Sequence, residues 1–220
     1  MSIVRANETG LHDALADLET GLPICVPTPS PLPYAVSATS PQTVNQGKGR
    51  PLDQPVGMAI AELALIQDFV DVGGETLAYA RWLSSSRLFS IMLPVRAQVP
   101  DWAAGSVSRG FIAVTLAWLP EVRSLLDAFG YLFLSSGNVT GGTAAVTAQE
   151  ADAEFGSRLM VVDGDRYRDQ SAPRGSASIL RFGRSLEVDV VREGVQHARF
   201  HGSSGQLLSK TRADWSNGNR

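Results

Sequence analysis

The sequence predicts an α/β protein with a mixed sheet flanked by helices, and three observations support this fold class. Short apolar runs typical of strands alternate with stretches that have helical spacing. The 220 residues can form one sizeable core. A hydrophobic content of 44% and a charged content of 19% are ordinary for a globular domain. We therefore predict one domain over residues 1–200 and a polar, flexible tail over residues 201–220.

The first predicted element is a helix in which Leu11, Leu15 and Leu18 share one face, with Asn7 or Thr9 as its cap. Alternate prolines at 27–33 predict an extended loop, and the polar stretch 37–46 has no clear prediction. Apolar runs, turn residues and one capping box predict the rest. These are strands at 24–26, 56–60, 88–95, 111–116, 131–134, 159–162, 178–182 and 186–192, and helices at 61–70, 75–83, 120–129 and from 147 to 154.

Composition limits the classes of function. A net charge of −3 argues against nucleic-acid binding driven by bulk electrostatics, although a local basic cleft stays possible. The single cysteine, Cys25, cannot form an internal disulfide and lies in an apolar run, so we expect a buried thiol and a reducing compartment. The N-terminus is too polar for a signal peptide, and no stretch approaches the length of a membrane span. We expect a cytoplasmic protein.

The loop Gly47-Lys48-Gly49-Arg50-Pro51 is the first candidate for a binding site. Two cations lie two residues apart, between glycines that permit close approach and a proline that favours an extended backbone. In an extended segment such residues point the same way, so Lys48 and Arg50 could bind one polyphosphate together. The alternative is a solvated basic loop.

A second candidate is Ser136-Gly137-Asn138-Val139-Thr140-Gly141-Gly142, which follows a predicted strand directly. Polar side chains at a strand end lie where α/β sheets bind ligands, so Ser136 and Asn138 could hydrogen-bond a phosphate or a base. The alternative is a tight polar turn. Neither a Walker loop nor a dinucleotide fingerprint is present. His197 and His201 are four residues apart without a third ligand, so we predict no metal site.

Taken in order, these segments resemble the YrdC/Sua5 family of threonylcarbamoyl-AMP synthases as far as about residue 195. Each motif is weak alone, but the ordered set is fairly specific for the fold. The matching segments are Pro27-Thr28-Pro29-Ser30 with Tyr34-Ala35-Val36, Lys48-Gly49-Arg50-Pro51 (the family's Lys-x-Arg-Pro), Ser90–Pro94, Ile112-Ala113-Val114-Thr115, Ser136-Gly137-Asn138-Val139-Thr140-Gly141 (Ser-x-Asn-x-Ser-Gly), and Ala177-Ser178-Ile179-Leu180 with Val191-Arg192-Glu193-Gly194.

The resemblance implies a twisted mixed sheet with a concave, positively charged cavity. It implies that ATP, with Mg²⁺, reacts with bicarbonate and an amino acid or other acceptor, releasing pyrophosphate, and that the product passes to a tRNA-modifying transferase. It assigns Lys48 and Arg50 to catalysis at the phosphates, and adds Ser136, Asn138 and Arg192 as further nucleotide-binding residues. The predicted acceptor pocket consists of Thr28, Ser30, Tyr34, Ser90, Thr115 and Ser178.

This chain departs from the family pattern on the threonine side. The family's aspartate is Pro29, and the arginine that would pair with the amino-acid carboxylate is Thr115. A charge-assisted hydrogen bond contributes about 1.5–3 kcal/mol, so threonine binding should weaken by about tenfold or more unless Arg87 takes that place. The acceptor is therefore left open. A non-catalytic nucleotide- or RNA-binding protein, including one for double-stranded RNA or tRNA, and a carbamoyl-transfer partner are the alternatives.

Overall fold

A single large twisted mixed sheet organises the computed structural model, which describes residues 3–169, 171–200 and 203–218. The strands in the described part of the chain are β1 (Ile3–Arg5), β2 (Ile24–Val26), β3 (Ala35–Ala38), β4 (Gly57–Ile60), β5 (Ser90–Pro94), β6 (Val107–Ser108), β7 (Phe111–Thr115), β8 (Tyr131–Ser136), β9 (Met160–Asp163), β10 (Ile179–Phe182) and β11 (Val188–Arg192). Their order in the sheet is β1-β9-β2-β3-β8-β4-β7-β5-β10-β11, with β6 paired to β7. Parallel and antiparallel pairs both occur, as in β4–β7 and β4–β8.

Helices pack on both faces of this sheet. Side-chain caps begin four of the described helices, since Asn7, Ser40, Thr147 and Ser203 each accept a hydrogen bond from a backbone N–H three residues on. None of the helices described is long and apolar enough to cross a membrane. The helices are α1 (Glu8–Glu19), α2 (Pro41–Gly47), α3 (Gly74–Arg87), α4 (Asp101–Ala104), α5 (Arg123–Phe129), α6 (Ala148–Phe155) and α7 (Ser204–Gly218).

The two larger hydrophobic cores of the described residues lie on opposite faces of the sheet, and a small third cluster consists of Leu32, Ala117 and Ala177. The larger core is built by α2, α3, α6 and α7, which contribute residues such as Val44, Leu83, Phe155 and Leu207. The smaller of these two cores lies under α1 and α5, which pack on β2, β9 and the end of β8. Because α1 and α5 cover only part of their face, the strands beyond β8 are left partly uncovered on that side.

The alternating burial of β5 and β7 marks this uncovered part of the sheet. Ile91, Leu93, Ile112 and Val114 are buried in the larger core. Residues at the alternating positions, such as Ser90, are only half-buried. Successive side chains of a strand point to opposite faces, so one face of these strands is core and the other is the wall of a cavity.

The sequence prediction of the fold class is confirmed, and most predicted strands and helices are present within a few residues. The predicted helix at 61–70 is wrong: a single 3-10 turn at Leu63–Leu65 is found there. Its apolar residues reach the core without a helix, because Val70 forms a bridge with Val95 and the Asp71 N–H donates to the carbonyl of Pro94. Tertiary pairing with the end of β5 therefore replaces the local helical bonds.

The prediction of a flexible tail from residue 201 is corrected over residues 204–218, which form α7. Leu207 and Thr211 of this helix are buried, and the Tyr79 hydroxyl donates to Thr211 at 3.1 Å. Trp215 packs on Tyr79, with ring centroids 5.6 Å apart. These contacts stabilise a helix whose own sequence is mostly polar. The composition of the tail could not reveal them, because they involve residues of α3.

Candidate functional site

A concave cavity of about 340 Å³ opens on the uncovered part of the sheet. Strands β3, β8, β4, β7, β5, β10 and β11 and the loop before β3 supply its wall, so the cavity spans most of the sheet. Its polar lining consists mainly of hydroxyl groups with an arginine on either side. The residues that line it are Thr28, Leu32, Pro33, Tyr34, Ala35, Arg50, Pro55, Gly57, Met58, Ser90, Ala113, Val114, Thr115, Ala117, Leu134, Ser135, Ser136, Ser176, Ala177, Ile179 and Arg192.

Arg50 reaches the cavity from the turn that follows α2. Its Nε donates to Oδ1 of Asn45, which is fully buried. The Asn45 amide group in turn donates to the carbonyls of Leu52 (3.0 Å) and Gln54 (2.8 Å). Asn45 therefore holds the guanidinium group at its Nε and fixes the path of the loop, while the Arg50 side chain lines the cavity. Burial lowers the pKa of Arg50, but an arginine keeps its charge at neutral pH.

Lys48 lies behind the cavity wall, which corrects the predicted geometry of the basic loop. The backbone there is not extended: Lys48 is the C-terminal cap of α2, and Gly49 has a φ of +63°. The two cations therefore diverge. The Lys48 side chain is only 3% exposed, and its Nζ donates to the carbonyl of Ser136, the carbonyl of Asn138 (2.5 Å) and Oδ1 of Asn138 (3.3 Å).

Three acceptors use the full donor capacity of the Lys48 ammonium group. The main-chain carbonyl of Lys48 also accepts hydrogen bonds from the N–H and the hydroxyl of Thr140, both at 3.2 Å. Desolvation, with a smaller contribution from Arg50, lowers the pKa of Lys48 to about 8, although Cys25 and Glu154 act in the opposite direction. Lys48 thus holds the 136–140 loop against the end of α2.

The end of β8 places Ser136 at the cavity, whereas Asn138 in the loop that follows is not among the residues that line it. The Ser136 hydroxyl donates to Oδ1 of Asn138 at 2.6 Å, and the Asn138 amide group donates to the carbonyls of Val139 and Gly142. Between them, Gly137 packs on Tyr34, where a Cβ would lie 2.8 Å from the Tyr34 carbonyl. The stretch 136–142 is therefore both a tight turn and, through Ser136, part of the cavity wall, so the two alternatives drawn from the sequence are compatible.

Arg192 closes the opposite side of the cavity, at the end of β11. Its Nε and Nη2 donate to the carbonyl of Ala177 at 3.2 and 2.7 Å. Desolvation lowers its pKa, but the side chain still opens to solvent and keeps free N–H groups. The two sides of the cavity are therefore both cationic.

Four of the six residues predicted for an acceptor pocket line this cavity: Thr28, Tyr34, Ser90 and Thr115. The Tyr34 hydroxyl is already paired, since it donates to Asp165 at 2.8 Å and accepts from the Gly164 N–H.

The other two predicted pocket residues are held elsewhere. The Ser30 hydroxyl donates to the carbonyl of Asp169 at 3.2 Å. Ser178 is fully buried and contacts His197. Arg87 does not replace the arginine missing at position 115, because it pairs with Asp214 of α7 at 3.2 Å and stacks on Trp82.

The sequence analysis missed Asn45 and Glu154. Asn45 orients Arg50, and Glu154 of α6 accepts a hydrogen bond from the Val139 N–H at 2.7 Å. Asn45 is buried in a short helix, and its buried amide needs partners, but neither its burial nor the helix could be predicted from the polar stretch 37–46. The position of Glu154 depends on tertiary packing and left no signal in the sequence.

Ionisable groups of the lining favour anions. Apart from Tyr34, the ionisable residues among the described residues that line the cavity are Arg50 and Arg192. Across residues 3–169, 171–200 and 203–218, no cluster of three or more His, Cys, Asp or Glu side chains could hold a metal ion. His201, part of the histidine pair considered above, lies outside these ranges.

Comparisons with known proteins agree with this architecture. The family model Sua5_yciO_yrdC, described as telomere recombination, matches residues 16–194. The threonylcarbamoyl-AMP synthase of Vibrio cholerae O1 is 29% identical over 153 residues, or 67% of this chain and 76% of that protein. The same enzyme of Vibrio campbellii is 23% identical over 192 residues, or 83% of this chain and 98% of that protein.

Solved structures share the fold at lower identity. P. abyssi Sua5, crystallised with L-threonine, superposes with a TM-score of 0.66 at 16% identity, covering 88% of this chain and 58% of that chain. E. coli YciO gives a TM-score of 0.65 at 14% identity, covering 88% of this chain and 94% of that chain. These likenesses establish the mixed sheet and its flanking helices.

Proposed function

Because the chain belongs to the Sua5/YciO/YrdC family, we propose that it uses ATP to convert a carbamate or carboxylate into an acyl-adenylate, with release of pyrophosphate. The curated relatives named above are threonylcarbamoyl-AMP synthases, in which the family chemistry is of this kind. The substrates would be ATP, bicarbonate and an amine or amino-acid acceptor. Mg²⁺ would enter with the triphosphate, since the described lining offers hydroxyls and no carboxylate to hold it.

The observation that carries this proposal is the charge pattern of the cavity. Arg50 and Arg192 flank a wall of hydroxyl groups, and no Asp or Glu is among the described residues of the lining. Such a cavity stabilises an anion and offers nothing to pair with a cation. A carbamate, a triphosphate and a departing pyrophosphate are all anions, so one pocket of this kind suits each species of the reaction.

Arg50 would act at the β- and γ-phosphates. Its two Nη groups can donate to phosphate oxygens while Asn45 holds the guanidinium group at its Nε, so charge that builds on the leaving pyrophosphate meets an oriented cation. Arg192 would close over the nucleotide from the other side. Ser136 would bind the α-phosphate or ribose after its hydroxyl exchanges the 2.6 Å bond to Asn138.

Lys48 and Asn138 would act indirectly in this scheme. Lys48 places its positive charge behind the 136–138 turn and fixes the loop, so it is a positioning residue. The carbamate would form first from bicarbonate and the free amine, with release of water. The adenylation step then needs no general base from the protein, because the carbamate oxygen is already anionic when it attacks the α-phosphorus. The attack forms the P–O bond of the adenylate while the bond to pyrophosphate breaks.

The acceptor would not be recognised through an arginine at position 115. Thr115 lies in the wall, and its hydroxyl accepts the Ala117 N–H at 3.1 Å. Thr28 and Ser90 add hydroxyls nearby, so this part of the cavity presents short polar groups. We propose a small acceptor, either an amino acid other than threonine or threonine bound weakly.

Pyrophosphate release from ATP and bicarbonate, measured with a panel of amino acids and small amines, tests this proposal. We expect release that depends on one acceptor and on bicarbonate, and a mass spectrum that contains the corresponding adenylate. Arg50→Met should lower the rate, while Arg81→Met, an exposed arginine on α3, should leave it unchanged. Binding of ATP without release for any acceptor would contradict the enzymatic proposal.

A non-catalytic nucleotide- or RNA-binding protein is the second candidate. Two observations favour it: the ammonium of Lys48 is fully engaged by the protein, and position 115 lacks the arginine of the family motif. Under this alternative, ATP or a structured RNA such as tRNA binds the arginine-flanked cavity and no pyrophosphate appears. Competition between ATP and tRNA for the same site, lost together in Arg50→Met, would support it.

A further inference from the structure

A chain of hydrogen bonds lies directly behind the Arg192 side of the cavity; it is buried at Ser178 and His197 and reaches the surface at Glu193. It joins the start of β10, the segment after β11 and the first residue of α7. The Ser178 Oγ and His197 Nδ1 lie 2.9 Å apart, and the His197 Nε2 and Ser204 Oγ lie 3.2 Å apart. The Ser204 hydroxyl donates to Glu193 Oε1 at 3.0 Å, and the Gly194 N–H donates to Ser178 Oγ at 3.0 Å.

Glu193, which only accepts, fixes the direction of the two bonds at Ser204, and the neutral form of His197 fixes the bond at Nδ1. The Glu193 carboxylate only accepts, so the Ser204 proton points toward it. The oxygen of Ser204 is then free to accept from His197 Nε2–H. In the neutral imidazole Nδ1 is bare, so it accepts from the Ser178 hydroxyl. The Ser178 oxygen accepts the Gly194 N–H, and each group has a partner.

Arg192 lies immediately beside this chain. Glu193 and Gly194 follow it in sequence, and a Cβ on Gly194 would lie 2.3 Å from the Ser176 carbonyl, so this turn packs directly on the 176–178 backbone. The Ala177 carbonyl in that backbone accepts both hydrogen bonds of the Arg192 guanidinium. The chain therefore holds both the main chain that carries Arg192 and the acceptor that orients it.

We propose that Ser178, His197, Ser204 and Glu193 form a positioning relay that orients Arg192 toward the cavity and couples α7 to ligand binding. His197 acts as the neutral Nε2–H tautomer and is the central member. It touches neither substrate nor reacting atoms, and neither do Ser204 and Glu193. The inference rests on the proposed function only where it concerns triphosphate binding, because the direction of the bonds and the orientation of Arg192 are properties of the free protein.

The first test uses NMR on the full chain without a ligand. At about pH 8, long-range ¹⁵N spectra should show a protonated Nε2 and a bare Nδ1 for His197, assigned by the loss of its signals in His197→Gln. The Arg192 Nε–H should exchange slowly with solvent in the wild type and about fivefold faster in Ser204→Ala. A predominant Nδ1–H tautomer, or unchanged exchange in Ser204→Ala, would overturn the relay.

The second test measures ATP affinity by calorimetry. Ser204→Ala should weaken binding by about fivefold, and Ser204→Thr, which keeps the hydroxyl, should restore it. Ser203→Ala is the matched control, because Ser203 accepts a hydrogen bond from the Gln206 N–H at the start of α7 and lies outside the relay. An equal loss in Ser203→Ala would mean that α7 is merely loosened and would contradict the relay.

A double mutant links the relay to Arg192. In an Arg192→Ala background, Ser204→Ala should cause no further loss of ATP affinity, because its effect passes through Arg192. Additive losses would contradict the proposal. If the wild type binds no ATP, the proposed function fails, and the tautomer and the Arg192 Nε–H exchange still decide for or against the relay.

Discussion

Replacing Lys48 with methionine is expected to destabilise the fold, whereas the same replacement of Arg50 is expected to weaken triphosphate binding. The two residues share one sequence motif, but the structure separates them. All three donors of Lys48 Nζ are used by the loop after β8. Arg50 donates its Nε–H to Asn45 and lines the cavity.

The size of the Lys48 effect follows from its contacts. Methionine would leave the carbonyls of Ser136 and Asn138 and Oδ1 of Asn138 without this donor, at about 2 kcal/mol each, or about 6 kcal/mol in total. Removing a desolvated ammonium, whose pKa is lowered to about 8, offsets about 3 kcal/mol. The net loss is about 3 kcal/mol, which for a chain of this length lowers Tm by about 6–12 °C.

Arg50→Met should lower the unfolding free energy by no more than about 2 kcal/mol, since it removes one donor, from Oδ1 of the buried Asn45, where Lys48→Met removes three. Its ATP affinity should fall by about 10- to 150-fold, the equivalent of about 1.5–3 kcal/mol for charge-assisted bonds. Urea denaturation and calorimetric titration measure the two quantities. A stable Lys48→Met protein that has lost ATP binding would refute this reasoning, because Lys48 would then have to contact the phosphates.

Four further predictions concern protonation, specificity and folding. Since the folded-state pKa of Lys48 lies near 8 and the unfolded one near 10.4, wild-type unfolding free energy should rise relative to Lys48→Met between those pH values, by up to about 1.4 kcal/mol per unit, as urea titrations at several pH values would show. Burial raises the pKa of Cys25 to about 12, so above about pH 8.5 ionisation of this thiol in the unfolded chain lowers the unfolding free energy. A thiol reagent should label Cys25 only upon unfolding, and labelling of the native protein would contradict its burial. Thr115→Arg should raise threonine-dependent pyrophosphate release by about tenfold if the cavity accepts an amino-acid carboxylate, and an unchanged rate would count against that placement. Thr147→Ala should lower the unfolding free energy by about 1 kcal/mol through loss of the α6 cap, whereas the neighbouring Val146→Ala keeps that cap.

Local sequence patterns predicted much of the fold. Ile24–Val26 is found with its predicted bounds, and the Asn7 and Thr147 caps begin α1 and α6 as expected. These signals depend on neighbours within a few residues, so they survive in the sequence. The predictions of a helix at 61–70 and of a flexible tail at the position of α7 were wrong. The conformations of these two segments are set by contacts with β5 and with α3, which are distant in sequence.

The sequence by itself determined the fold class, most of the strands and helices it predicted, the family resemblance and the presence of Arg50, Ser136 and Arg192 as candidate ligand-binding groups. Only the tertiary structure decided that Lys48 faces the protein and Arg50 faces the cavity. Side-chain direction at the end of α2 depends on the left-handed turn at Gly49 and on carbonyl groups 88–90 residues away, which meet Lys48 only when β8 has joined the sheet. Hydrogen bonds between residues so far apart in sequence leave no local pattern. The motif therefore predicted that Lys48 and Arg50 point the same way, whereas the structure directs them to different places.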